Sequence, residues 1–295
     1  MMGIADRWLG GGSTGTPSGT APHVLAVCSR KGGVGKTTVA AHVAVALARW
    51  HAARVLLVDL DPQAHVSRVL AQLLGDTRPE KPLSSVFLGK RADLLGAAEP
   101  THEPGLWIAR SDEMMCDVQT LVASKIGREF LLRNAMGRVQ GAFDFVLFDC
   151  PPNVDVLTIN ALVAARHILV PTELSSLSIQ GVSDICEAVD TVRDHLSLPV
   201  ETLAIIPSRI DRRSRSVNRD LLAVLRERFG ALVLQDDIPS ATAVSRSCLR
   251  GRPVFDESPQ SPASAGFKRV TRELCSRLLW RSASSPEPMH VKRGR

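Results

Sequence analysis

Residues Val24–Thr38 read VLAVCSRKGGVGKTT, an apolar run that breaks into a glycine-rich loop and closes on Gly-Lys-Thr-Thr. Few folds can use such a segment. The apolar run reads as a buried strand, and the residues after Gly35 read as the start of a helix, whose N-terminus favours an anion. Gly32, Gly33 and Gly35 let the chain curl around a polyphosphate, so that backbone N–H groups from Gly32 through Val34 to Thr38 converge on it. Lys36 adds a fixed positive charge for the β- and γ-phosphates, and Thr37 a hydroxyl for Mg²⁺. The usual form of this loop opens on glycine; here Arg30 stands there, and Lys31 sits at the loop entrance. A chance glycine-rich turn is the competing reading, and the strand, loop and helix order counts against it.

The rest of the chain alternates in the same way. Short β-rich runs fall at Val24–Cys28, Val55–Asp59, Trp107–Ala109, Phe145–Asp149, His167–Val170 and Leu203–Pro207, with another near Leu232–Gln235. Stretches with helical apolar spacing lie between most of them, including Val39 to Trp50 and Ser178 to Leu196. Strands without polar alternation, separated by helices, predict an α/β fold: a mostly parallel twisted sheet covered by helices on both faces. Ligands in such sheets bind at the carboxyl ends of the strands. The loop, Asp59, Asp61 and Asp149 all fall there, so segments far apart in sequence are expected to meet in one crevice. Asp149, closing an apolar strand, can hold a Mg²⁺-bound water beside the phosphates; a plain strand-end turn is the alternative. Asp59 shares a side with Asp61 by period-two geometry and is expected at the metal shell.

A chain of 295 residues with 44% hydrophobic residues can bury a large core. Composition is even across residues 23–281, which are expected to form one domain between a Gly/Ser/Thr/Pro tail (1–22) and a basic tail (282–295). No run of about 18 apolar residues suggests a membrane-spanning helix, and the N-terminal stretch has no signal-peptide core, so a cytoplasmic location is expected. The six cysteines are scattered without a C-x-x-C pair and read as buried reduced thiols. The eight histidines lack zinc-site spacing. Net charge is +6, and its arginines cluster: Arg209, Arg212, Arg213, Arg215 and Arg219 around one loop, Arg246, Arg250 and Arg252 around a second. Without tyrosine or interleaved aromatics, base stacking is disfavoured and phosphate contact is the natural mode. Solvated loop charges are the plainer alternative.

The segment KGGVGKTT resembles the deviant Walker A motif of the ParA/MinD family, whose early lysine matches Lys31. Two other segments are similar to the family's motifs: RVLLVDLDPQA (Arg54 to Ala64) and the Walker B strand FDFVLFDCPP (Phe143 to Pro152). IIPSRIDRR (Ile205 to Arg213) and DIPSATAVSRSCLRGRPV (Asp237 to Val254) resemble the ParA branch. The resemblance implies an ATPase using ATP and Mg²⁺, with Thr37, Asp59 and Asp149 near the metal and Asp61 orienting the attacking water. It implies further nucleotide contacts from Ser208 and Pro239. Lys31 is implied to cross a dimer interface to the phosphates of the partner's nucleotide. An ATP-bound homodimer binding double-stranded DNA without sequence preference follows, through Arg212, Arg213, Arg215, Arg219, Arg250 and Arg252. Such an ATPase would be nucleoid-associated and would answer to a ParB-like centromere-binding protein or another cargo adaptor.

The alternative within the resemblance is a MinD-like membrane switch, which needs an amphipathic C-terminal anchor. Phe267, Val270, Leu274, Leu278 and Leu279 form an apolar stripe that could serve, although the family's last helix packs on the sheet. Departures from the family pattern are Ser240-Ala241 after Ile238-Pro239, Arg246 in place of an acid, Gln180 in place of a glutamate and His65 in place of an asparagine.

Overall fold

The structure, a computed structural model, describes residues 21–89 and 92–280. Both tails expected from the sequence therefore lie almost wholly outside the described residues. A seven-stranded sheet forms the centre, in the order β3-β4-β2-β5-β1-β6-β7. Its strands are β1 (His23–Val27), β2 (Val55–Asp59), β3 (Glu99–Pro100), β4 (Leu106–Ala109), β5 (Phe145–Asp149), β6 (His167–Thr172) and β7 (Glu201–Pro207). All neighbours are parallel except the two-residue edge strand β3, which runs antiparallel to β4 and carries Pro100. A proline removes a donor, which an edge tolerates.

The strands are apolar throughout because both faces are covered. Helices of nine residues or more are α1 (Lys36–His51), α2 (Val156–Ala164), α3 (Ser176–Leu196), α4 (Arg215–Phe229), α5 (Thr242–Arg250) and α6 (Pro262–Arg277). Alternate strand residues go to opposite faces. Ala26, Val58, Phe148 and Ile168 pack with α2, α3 and α4, whereas Val27, Leu57, Leu147 and Leu169 pack with α1, α5 and α6. Helix starts follow local chemistry. Asp155 caps α2 through Leu157 N and Thr158 N, Ser175 caps α3 through Ser178 N, and Ser261 caps α6 just before Pro262.

Three details differ from the sequence reading. The run near Leu232–Gln235 is a single parallel bridge, Val233 to Ile205, not a strand. A short apolar run can be buried beside a strand without joining the ladder, and periodicity does not separate the two cases. Strand β3 has too few residues to show a period. Among the free cysteines, Cys28, Cys150 and Cys275 are buried, but Cys116 is exposed.

Most of the C-terminal stripe is core. Phe267, Val270 and Leu274 pack with α1 and the sheet, while Leu279 stands 87% exposed just past the helix. Accordingly, Phe267→Ala should cost about 3–5 kcal/mol of stability and Leu279→Ala less than about 0.5, read as shifts in the urea midpoint. Equally small losses would mean that α6 is not part of the core.

Candidate nucleotide-binding site

Parallel register builds the site. Val27 of β1 pairs with Asp149 of β5, and Asp149 pairs with Asp59 of β2. The two aspartates share strand parity with Leu57 and Leu147, so both side chains lie on the α1 face. Cys28 and Cys150 have the opposite parity and join the other core, with their sulfurs 3.4 Å apart. The carboxylates at the ends of β2 and β5 therefore sit beside the start of α1, where the loop after β1 delivers Lys36 and Thr37.

The loop is held from several sides. Gly33 and Gly35 adopt left-handed backbone (φ 80° and 95°), which only glycine takes without strain. Val34 is buried and anchors the loop. The Ser208 hydroxyl donates to Val34 O at 2.8 Å, and the Arg209 guanidinium donates to Gly33 O. No side chain caps α1, since Gly35 occupies that position. Its first N–H groups are left to the crevice, which suits a phosphate.

Lys36 is 8% exposed and close enough to Asp149 to pull its pKa down, as does the Thr37 hydroxyl. Burial outweighs both and pushes the Asp149 carboxyl up to about 7. Neither Asp149 oxygen accepts a hydrogen bond of good geometry. A buried carboxylate without partners is costly unless a cation completes it. Together with the neighbouring Thr37 hydroxyl, it fits a hard divalent cation. Among the described residues no three His, Cys, Asp or Glu side chains gather into a metal cage. A cation here would take its remaining ligands from phosphate and water, as Mg²⁺ commonly does.

Asp59, expected at the metal shell, has two backbone partners. Its Oδ1 accepts from Asp61 N at 3.2 Å and its Oδ2 from Val66 N at 3.1 Å. Through these bonds the group shapes the turn carrying Asp61, while burial and the neighbouring Asp149 charge raise its pKa. Asp61 Oδ1 accepts from Gln63 N at 2.9 Å.

Ser208 lies beneath the loop, with its hydroxyl on Val34 O, and Pro239 lies in the segment after β7. Both are buried. Pro239 bridges to Ile210, and its ring lies 2.9 Å from where a Cβ on Gly266 of α6 would stand. Of the arginines, Arg212 pairs with Asp237, Arg213 with Asp211 at 2.8 Å and Arg250 with Glu257 at 2.9 Å. Arg252 bonds Gln72. Arg219 is exposed, and the Arg215 side chain lies outside what is described. Several of these charges are therefore partly neutralised within the chain.

His42 carried no motif in the sequence, yet it ties the site to the C-terminal part. Its Nδ1 lies 2.7 Å from Thr38 O, and its Nε2 accepts from Val254 N at 3.0 Å. Burial pushes its pKa down to about 4, so the neutral ring donates from Nδ1 and accepts at Nε2. It stacks on Phe267 with centroids 4.4 Å apart. Only its place one helical turn after Thr38 hinted at this role.

The fold and site together define a phosphate-loop ATPase of the variant class with a lysine at the loop entrance. A family model described as an AAA domain, AAA_31, matches residues 22–205. The chromosome partitioning protein ParA of Caulobacter vibrioides is 33% identical over 264 residues, covering 89% of this chain and 97% of that protein. The chromosome-partitioning ATPase Soj of Thermus thermophilus is 32% identical over 254 residues, covering 86% and 96%. Among solved structures, a cobyrinic acid a,c-diamide synthase of Mycobacterium smegmatis with a bound ATP analogue and magnesium superposes with a TM-score of 0.72. It is 28% identical and covers 88% of this chain and 96% of its own. The chain belongs to the ParA family of partition ATPases within the ParA/MinD superfamily.

Burial of the Asp149 carboxyl makes a test that does not depend on activity. Asp149→Asn should raise the stability of the nucleotide-free protein by about 1–3 kcal/mol while weakening its stabilisation by Mg²⁺ and ATP. Thermal melts with and without ligand measure both. A variant less stable than wild type without nucleotide would show that Asp149 is already satisfied by the chain.

Proposed function

We propose that this chain is a Mg²⁺-dependent ATPase whose ATP-bound form pairs with a second copy, binds duplex DNA without sequence preference, and hydrolyses ATP faster when a partner protein engages it. Its task is to partition a replicon or position another cargo over the nucleoid, with a ParB-like centromere-binding protein as the natural partner. The single observation that carries the ATPase reading is the buried carboxylate of Asp149, short of well-formed hydrogen bonds, beside Thr37 and Lys36 at the mouth of the glycine loop. The partition role is supported by relatives named ParA and Soj.

Each residue has a stated part. Backbone N–H groups from Gly32 to Thr38 cradle the phosphates, and Lys36 neutralises the β- and γ-oxygens. Thr37 and Asp149 hold Mg²⁺, whose charge offsets that of the phosphates. Asp61 orients the attacking water, with Asp59 fixing its turn. Lys31 reaches the phosphates held by a second copy and neutralises charge there, as an arginine finger does. Pairing is supported by where apolar side chains are exposed. Met114, Val154, Leu177 and Val217 all lie on segments leaving carboxyl ends of strands, the edge that carries the loop. With the C-terminal stripe in the core, no observation favours the membrane switch; no described helix is long and apolar enough to cross a membrane.

Lys36→Ala should abolish nucleotide binding. Asp61→Ala should keep ATP affinity but slow single-turnover hydrolysis by about 10²–10⁴-fold. Hydrolysis by the Asp61 variant at the wild-type rate would remove its assigned role.

For DNA, anisotropy titrations on random duplex should show binding with ATP but not ADP, weakening steeply with salt as counterions are released. Neutralising Arg212, Arg213 and Arg215 together should weaken binding on every sequence and flatten the salt slope, with basal ATPase retained. Binding to anionic liposomes in place of DNA would transfer the assignment to the membrane switch.

A further inference from the structure

Two cations stand at the entrance of the phosphate loop, and both are held by acids of the β6–α3 unit. Lys31 Nζ donates to the Glu173 carboxylate. The Arg30 guanidinium donates to Asp184 Oδ2 at 2.8 Å. The acids stand on rigid supports. Glu173 directly follows β6, and its carbonyl accepts from Ser175 N at 3.1 Å and from the Thr172 hydroxyl at 3.2 Å. Ser175 in turn caps α3. Asp184 lies on α3 itself and accepts from Gln180 Nε2 at 3.2 Å. The helix approaches the loop closely at Gly181, where a Cβ would come within 4.0 Å of the Arg30 Cβ.

We infer that Glu173 and Asp184 form an acidic clasp that holds Lys31 and Arg30 against their own chain and so restrains ATP-dependent pairing of two copies. The inference rests on the reading of Lys31 as the residue that reaches a second copy's phosphates. Its one ammonium group must leave Glu173 to cross to another chain, so the clasp opens as the pair forms. The side chains of Lys31 and Glu173 are 36% and 30% exposed, which makes the restraint modest. An exposed ion pair of this kind is worth about two- to fivefold per chain. Two chains release one clasp each, so the pairing constant is held down about four- to twenty-five-fold. A restraint of that size suits a switch, since nucleotide binding can overcome it without a large structural change.

The test is pairing measured by light scattering on the full-length chain at saturating Mg²⁺ and ATP. Glu173→Gln should pair at about four- to twenty-five-fold lower protein concentration than wild type in low salt. The advantage should shrink in about 1 M salt, where the screening length falls to about 3 Å. A purely structural role for Glu173 would give a variant that pairs no better and responds to salt as wild type does. Asp184→Asn should shift pairing in the same direction by a smaller factor, and it carries the test should Glu173→Gln fold poorly. Combining Lys31→Ala with Glu173→Gln should erase the gain. Impaired pairing by Lys31→Ala together with wild-type pairing by Glu173→Gln overturns the clasp alone. Wild-type pairing and hydrolysis by Lys31→Ala overturns the reading of Lys31, and the clasp with it.

Discussion

In-register pairing of β5 with β1 on one side and β2 on the other is the constraint on which the site depends. It sets Asp149 opposite both Val27, where the phosphate loop begins, and Asp59, where the aspartate turn begins. A slip of one residue in a parallel strand would send every side chain to the other face. Asp149 would then point toward α2 and α3, and Cys150 would replace it beside Thr37. The apolar residues of β5 fix the register, because Phe145 and Leu147 fill one core and Val146 and Phe148 the other. Core packing thus places the charge.

The site so placed is electrostatically unfinished. Asp149 is enclosed without a hydrogen bond of good geometry, the first N–H groups of α1 have no side-chain cap, and Lys36 is nearly buried among them. The rest of the chain makes this arrangement tolerable by fixing the loop from beneath. Ser208 and Arg209 after β7 bind its carbonyls, and His42 locks the first turn of α1 to the C-terminal segment. A crevice that is rigid but short of charge partners is prepared for a ligand carrying both a cation and phosphates. Proteins accept such local cost at functional sites and recover the stability elsewhere in the core.

Much of this was legible in the sequence, for physical reasons that differ by residue. Six strands announced themselves because two-sided burial leaves no polar alternation. The loop announced itself because only glycine allows Gly33 and Gly35 their backbone geometry. Tertiary contacts are harder to read. Ser208 was expected at the nucleotide and Asp59 at the metal; the sequence did not show that the Ser208 hydroxyl donates to the loop or that both Asp59 oxygens accept from the aspartate turn. His42 and Glu173 carried no signal, since their partners lie 212 and 142 residues away in sequence. The C-terminal stripe could serve as a membrane face, but a core face is the favoured reading of the sequence, and the packing of Phe267 against α1 bears that out.

In the proposed function, one chain presents half of a catalytic arrangement, completed when ATP brings two copies together through Lys31. Sedimentation velocity on the wild-type chain with Mg²⁺ and ATP, with Mg²⁺ and ADP, and without nucleotide tests it most directly. Twice the single-chain mass is expected with ATP, and the single-chain mass in the other two conditions. The same mass in all three would contradict it.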